Sequence, residues 1–226
     1  MVGPRLVNTL FLALAALAIH FPLMLVVAIV QATRRHTATD TVLSTITLFF
    51  AAMPEFLLSL LMLFLFVVVL PWLPAVSFVD ATSSLTVWLR ALALPALALA
   101  LVMSVYGIRM LRAGLIDILE ADFIQVAELR GLSRRSVLFR HALPNAIGPV
   151  MNITAFNLTY LIGGVVVVEK VFSFPGFGSL MIDAVAFRDV PLVEATVMIS
   201  ATIYVLANLA SDALAIVFNP RLRHSR

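Results

Sequence analysis

A carboxylate inside an apolar helix invites a chemical reading, and Glu55 is the clearest case in this sequence. It follows Pro54 within a long apolar run. By the helical rise it lies about 20 Å from the nearer polar flank, close to the middle of a membrane-sized segment. An ionisable group at that depth is costly and is by default a functional hypothesis. Facing a pathway, Glu55 would meet a substrate ammonium group or a metal cation. Beside Pro54 it would instead be protonated or paired, capping the backbone groups that a proline frees. Asp212 and Asn208, one helical turn apart, suit interhelical hydrogen bonding better than catalysis or ion binding. His20 is a lone histidine near Pro22. With no second His or carboxylate at ligand spacing, a hydrogen bond to a neighbouring helix fits it better than a metal. In Gly176-Phe177-Gly178-Ser179 the serine is misplaced relative to the glycines for an intramembrane protease. No glycine loop ending in Lys-Ser or Lys-Thr is present to cradle a phosphate. Cysteine is absent, which excludes disulfides and thiolate metal sites. The chain therefore reads as a non-enzyme with no metal site or cofactor of its own. The competing readings are a membrane enzyme using Glu55 or Asp212 and a gradient-driven secondary transporter whose deep carboxylates carry protons.

The elements that must position these residues are membrane helices. Of 226 residues 62% are hydrophobic and 12% charged, and the mean hydropathy is +1.10. A soluble domain carries roughly twice that charged fraction. Several apolar runs reach the roughly 20 residues that cross a bilayer. Spans are expected at about 6–30, 41–70, 87–111, 146–168 and 192–218, forming one all-α transmembrane domain over residues 1–226. The second would be about 45 Å long as a straight helix, so it should tilt or kink, with Pro54 as the kink. The pI near 9.9 does not point to nucleic acid. The basic residues are nearly all arginines, gathered in the loop with Arg34-Arg35, in the stretch 112–145 and in the tail. The positive-inside rule places those three regions, and hence the C-terminus, in the cytoplasm. Five spans then start the chain outside, an arrangement that calls for a further helix ahead of Met1.

Between the third and fourth spans lies a long polar island, about 112–145. Its apolar residues Leu115, Leu119, Phe123 and Val126-Ala127 fall on one stripe at helical spacing. Gly131 can take the left-handed conformation that ends a helix. Ser133 is a fair N-cap for a second short helix carrying Val137, Leu138 and His141, which Leu143-Pro144 would stop. The expected product is a helix–Gly–helix hairpin at the cytoplasmic surface, suited to docking in a groove of another protein. A plain interfacial loop with membrane-facing leucines is the alternative from these residues alone.

The segment Gln125-Val126-Ala127-Glu128-Leu129-Arg130-Gly131, followed by His141-Ala142-Leu143-Pro144, resembles the signature loop of binding-protein-dependent ABC importer permeases. That pattern is Glu-Ala-Ala, three residues, Gly, nine residues, Ile, one residue, Leu-Pro. Ala127, Gly131, Leu143 and Pro144 are in register with it, whereas Gln125, Val126 and His141 depart from it. Within that superfamily, Glu169-Lys170-Val171-Phe172-Ser173-Phe174-Pro175-Gly176-Phe177-Gly178 and the ending Asn219-Pro220-Arg221-Leu222-Arg223 are similar to the dipeptide, oligopeptide and nickel permeases. Val7-Asn8-Thr9-Leu10 resembles the start of their B-type subunit, which normally has an extra transmembrane helix ahead of this point.

The resemblance implies a type I importer permease fold in a bacterial or archaeal cytoplasmic membrane. It implies ABC ATPase subunits as partners, carrying ATP and Mg²⁺, together with a second, C-type permease and an extracytoplasmic substrate-binding protein. Peptides are the implied substrate, and nickel or glutathione lies within the range of the group. Gln125, Val126, Ala127, Glu128, Gly131, His141, Leu143 and Pro144 would form the ATPase-coupling loop. Glu169, Phe172, Pro175, Gly176 and Gly178 would form an extracytoplasmic loop over the pathway.

Overall fold

The computed structural model describes residues 2–74, 77, 84–148 and 165–218, with side chains to 209. Every regular element among them is helical. Helix α1 is Val2–Thr33, α2 Ala38–Ala52, α3 Glu55–Leu63, α4 Leu85–Leu119, α5 Asp122–Leu129, α6 Arg134–Ser136, α7 Phe177–Ala186 and α8 Val190–Phe218. α3 and α6 each continue into a π-wound stretch, Phe64–Val69 and Val137–Ala142.

The pair α1 and α4 is the spine. α1 buries Leu12, Ala16, His20, Met24, Ala28 and Ala32, one residue in every four, and the alanines let α4 approach closely. His20 on that stripe meets Ser104 of α4, Nδ1 to Oγ 2.9 Å apart, so the lone histidine makes the interhelical contact expected of it. Two apolar clusters lie along the spine. One joins Leu12, Leu58, Met62, Leu99, Phe172 and Phe174 at one end. The other joins Met24, Ala28, Leu111, Leu115, Ile124, Val137 and Ala142 at the opposite end, where the polar island begins. Elsewhere large apolar side chains are open to the surroundings, most of all along α8. That is the surface of a protein solvated by lipid rather than water.

The helices α1, α4 and Val190–Leu209 of α8 are long and apolar enough to cross a membrane. The expected span 41–70 differs from expectation. It is two helices bent by 108° rather than one kinked rod. Proline drives the preceding residue out of the helical region, and Met53 is accordingly extended at φ −83°, ψ 129°. At 1.5 Å per residue, α2 spans about 22 Å, too short to cross alone. The third expected span also changes, because α4 runs on to Leu119 and takes in the start of the island. The expected fourth span, 146–168, lies mostly outside the described residues, as do Gly163-Gly164 and the tail from Asn219.

At the island end, α2 is pinned to α4. Arg112 donates from Nε and Nη2 to the two carboxylate oxygens of Asp40, at 3.0 and 2.7 Å. Arg35 and Glu120 pair across the same surface.

Candidate functional site

Two groups of residues stand out, one at each end of the spine. The first is the hairpin α5–α6. Helix α5 closes with both hydrogen bonds of a Schellman motif. Gly131 N–H donates to the Glu128 carbonyl (2.9 Å) and Leu132 N–H to the Ala127 carbonyl (3.3 Å). Gly131 sits at φ +81°, where a Cβ would be strained. No atom lies within 4 Å of the position a Cβ would take. Its requirement is therefore conformational, not a matter of space. Ser133 caps α6, accepting from Ser136 N–H at 3.3 Å.

The inner face of the hairpin belongs to the core. Ile124 and Val137 are each 1% exposed, and they pack with Leu111 and Leu115 of α4 and Ala28 of α1. The outer face is open, with Leu129 87% exposed and Phe123, Val126 and Phe139 about half exposed. This corrects the expected stripe of Leu115, Leu119, Phe123 and Val126-Ala127. The chain breaks at Glu120-Ala121, where Ala121 is extended, so α5 is rotated out of phase with α4. Ile124 is buried in place of Phe123. Leu143-Pro144 also behaves differently from the expected stop, since the helix continues over 143–148. The π-wound turn Val137–Ala142 just ahead of Pro144 accommodates the missing N–H and the ring clash that would otherwise break the helix. Gln125, Glu128 and His141 lie on this hairpin and its continuation.

The second group is the loop that leads into α7. Glu169 is 0% exposed, and its carboxylate caps the N-terminus of α7. Ser179 N–H donates to Oε2 at 2.8 Å, Gly178 N–H also reaches the carboxylate, and Thr9 Oγ1 of α1 donates to Oε1 at 2.5 Å. Thr9 accepts in turn from Phe177 N–H (2.8 Å), and Asn8 Nδ2 donates to the Pro175 carbonyl (2.8 Å). A Cβ on Gly176 would overlap the carboxylate, and one on Gly178 would come 2.7 Å from Val166 Cγ2. Phe172 and Phe174 are both fully buried beneath the loop. Sequence reading placed Asn8-Thr9 and Glu169–Gly178 in separate motifs; the fold staples one to the other.

Burial pushes the Glu169 carboxyl up to about 7, opposed by hydrogen bonds from Thr9, Ser179 and Gly178 and by the Arg5 charge. A carboxyl whose pKa rises on folding stabilises the folded form below its unfolded value. That advantage is lost as pH climbs through about 7. Hydrogen exchange at the Ser179 amide, corrected for the intrinsic rate, should therefore slow as pH falls from 8 to 5. In Glu169→Gln the corrected rate should be flat. A corrected rate that rises on acidification contradicts this.

Glu55 opens α3, half-buried at the break behind Pro54. A carboxylate in a first helical turn is stabilised by the helix dipole. The fold places it at a helix start. Asp212 lies on α8.

Among the described residues, a helical spine thus carries a core-packed, outward-facing hairpin at one end and a stapled loop at the other. The chain belongs to the family of binding-protein-dependent transport system inner membrane components, whose profile matches residues 24–224. It is 36% identical over 223 residues to a putative peptide transport system permease protein of Brucella abortus, covering 99% of this chain and 71% of that protein. It is 32% identical over 223 residues to the glutathione transport system permease protein GsiC of Escherichia coli K12, covering 99% of this chain and 70% of that protein. Among solved structures it resembles the MetNI methionine ABC transporter in its inward-facing conformation. The TM-score there is 0.75 at 17% identity, over 97% of this chain and 100% of that chain, a likeness of fold. The chain is thus a multi-pass inner membrane permease of the B-type importer group, with the type I fold that its sequence implies. The family is one of transport components rather than enzymes.

Proposed function

We propose that residues 1–226 form one permease domain supplying half of the substrate pathway of an ATP-driven importer, coupled to an ATPase subunit through the 120–144 region. The observation that carries this reading is the two-sided hairpin. Ile124, Val137 and Ala142 weld it to α1 and α4, while Phe123, Val126, Leu129 and Phe139 face outward for a partner. A push on the outer face is then delivered to the spine as a rigid-body displacement, because packed cores do not deform continuously. ATP and Mg²⁺ belong to the ATPase subunits, and this chain binds no cofactor. A C-type permease completes the pathway, and a substrate-binding protein delivers cargo to the end that carries the Glu169 staple. The hairpin, the Arg34-Arg35 loop and the C-terminus face the cytoplasm.

Peptides are the proposed cargo. Relatives are named for peptide transport and for glutathione, itself a short peptide, and those names favour peptides over nickel. Purification of the tagged chain in mild detergent, followed by mass spectrometry, tests the assembly. An ATPase, a second permease and a binding protein should co-purify. Recovery of the chain without any ATPase contradicts the proposal. Glu55→Gln should leave peptide uptake within about twofold, because the helix-dipole contribution of a first-turn carboxylate is small. A loss of tenfold or more would instead place Glu55 on the pathway.

A further inference from the structure

Near the hairpin end, α1, α2 and α4 enclose a cleft whose character changes with depth. Its inner part, about 170 Å³, is lined by apolar residues including Leu23, Val27, Ile46, Phe50, Leu101 and Val105. Its mouth, about 290 Å³, is lined by Gln31, Ser44, Thr47, Leu48, Arg109 and Arg112. Thr47 borders both parts, so the two adjoin. The gradient follows helical spacing. On α1 the stripe reads Leu23, Val27, Gln31, and on α4 it reads Leu101, Val105, Arg109. On α2 the two parts lie side by side, with Leu43, Ile46 and Phe50 on the apolar part and Ser44 and Leu48 on the polar part.

The charges of the mouth do not cancel. Arg112 is matched by Asp40, whereas Arg109 has no acidic partner among the described residues. Gln31 is 1% exposed. Its Nε2 faces Ser44 Oγ at 3.4 Å, and its Oε1 is a buried acceptor without a donor among the described residues. A buried unsatisfied acceptor is destabilising and calls for a ligand that brings an O–H or N–H.

We propose that this cleft is a binding site for an anionic phospholipid of the cytoplasmic leaflet whose headgroup carries hydroxyls. The phosphate lies on Arg109, a headgroup hydroxyl donates to Gln31 Oε1, and one acyl chain runs inward along Val27, Ile46 and Val105. Basic pockets between membrane helices at the cytoplasmic face select such headgroups. A zwitterionic headgroup would bring an ammonium beside Arg109 with Asp40 already paired. A soluble phosphate would leave the apolar part unfilled. The inference rests on the orientation proposed above, which a separate measurement reports. The chain has no cysteine, so a single exposed Thr37→Cys can be labelled with an impermeant maleimide from either side.

The test is native mass spectrometry of the full chain, purified with its partners, titrated with phosphatidylglycerol or phosphatidylcholine. Phosphatidylglycerol should be retained at one per permease chain, about fivefold or more tighter than phosphatidylcholine. Arg109→Gln, at an exposed position, should abolish that preference. Ile46→Trp, which fills the crevice from a partly exposed position, should weaken both lipids. Millimolar glycerol phosphate should not compete. Equal retention of the two lipids, preference unchanged in Arg109→Gln, or displacement by glycerol phosphate would each overturn the proposal. The maleimide result stands apart: labelling of Thr37→Cys from outside would refute the orientation, and with it the leaflet.

Discussion

Gly131→Val should leave the protein inserted in the membrane and its importer able to hydrolyse ATP, while peptide uptake falls more than tenfold. The reason lies in one backbone torsion. At φ +81° an L-residue pays about 1–2 kcal/mol, more when β-branched, which is a factor of roughly 5–30 in the population of the native turn. With the Schellman bonds from Gly131 and Leu132 loosened, α5 no longer holds a fixed angle to α6. Motion of the docked partner would be absorbed in the turn rather than passed to Ile124 and the spine. Because the space around Gly131 is open, the series should follow conformation and not size. Gly131→Asn, which tolerates the left-handed region, should retain most uptake, Gly131→Ala less, and Gly131→Val least. The measurement is ATPase rate and uptake on the same reconstituted preparation. Uptake unchanged in the valine variant, or a decline that tracks side-chain volume, contradicts the role assigned to the turn.

Glu169→Ala should be the most damaging single substitution at the opposite end. It removes the fully buried acceptor for Thr9 Oγ1 and for the amides of Gly178 and Ser179. Each donor left unsatisfied costs about 1–3 kcal/mol, so the loss should be several kcal/mol and should appear as a large fall in melting temperature of the detergent-solubilised complex. Glu169→Gln keeps one acceptor oxygen but turns an N–H₂ toward an amide, and should fall between. Thr9→Val should reproduce part of the loss, and combining it with Glu169→Ala should add little, because both break one network. Full additivity of the two would show that Thr9 and Glu169 do not act together.

What could be read from the sequence was local. The left-handed Gly131, the Ser133 cap and the break at Pro54 each follow from the conformational preferences of one or two residues, and each stands where those residues put it. Phase across a break was not legible. Nothing in Glu120-Ala121 announces the extended residue that turns α5, so helical spacing points to Phe123 where the fold buries Ile124. The winding of Val137–Ala142 was hidden for a similar reason, since a proline allows either a stop or a bulge and packing decides between them. The staple was legible in part. A carboxylate followed by Pro-Gly-x-Gly signals backbone in close approach to something, but that the something is Glu169 itself, tied to Thr9, is a contact 160 residues apart. Likewise Asp40 and Arg112 stand 72 residues apart, and only the fold brings them together.

The most direct measurement is peptide uptake into proteoliposomes holding this chain with its co-purified permease, ATPase and binding protein, with ATP supplied on the hairpin side. Uptake that requires ATP and the ATPase, persists when proton and sodium gradients are collapsed, and is lost in Gly131→Val is the predicted result. Uptake by this chain without the ATPase, or driven by an ion gradient alone, would contradict it.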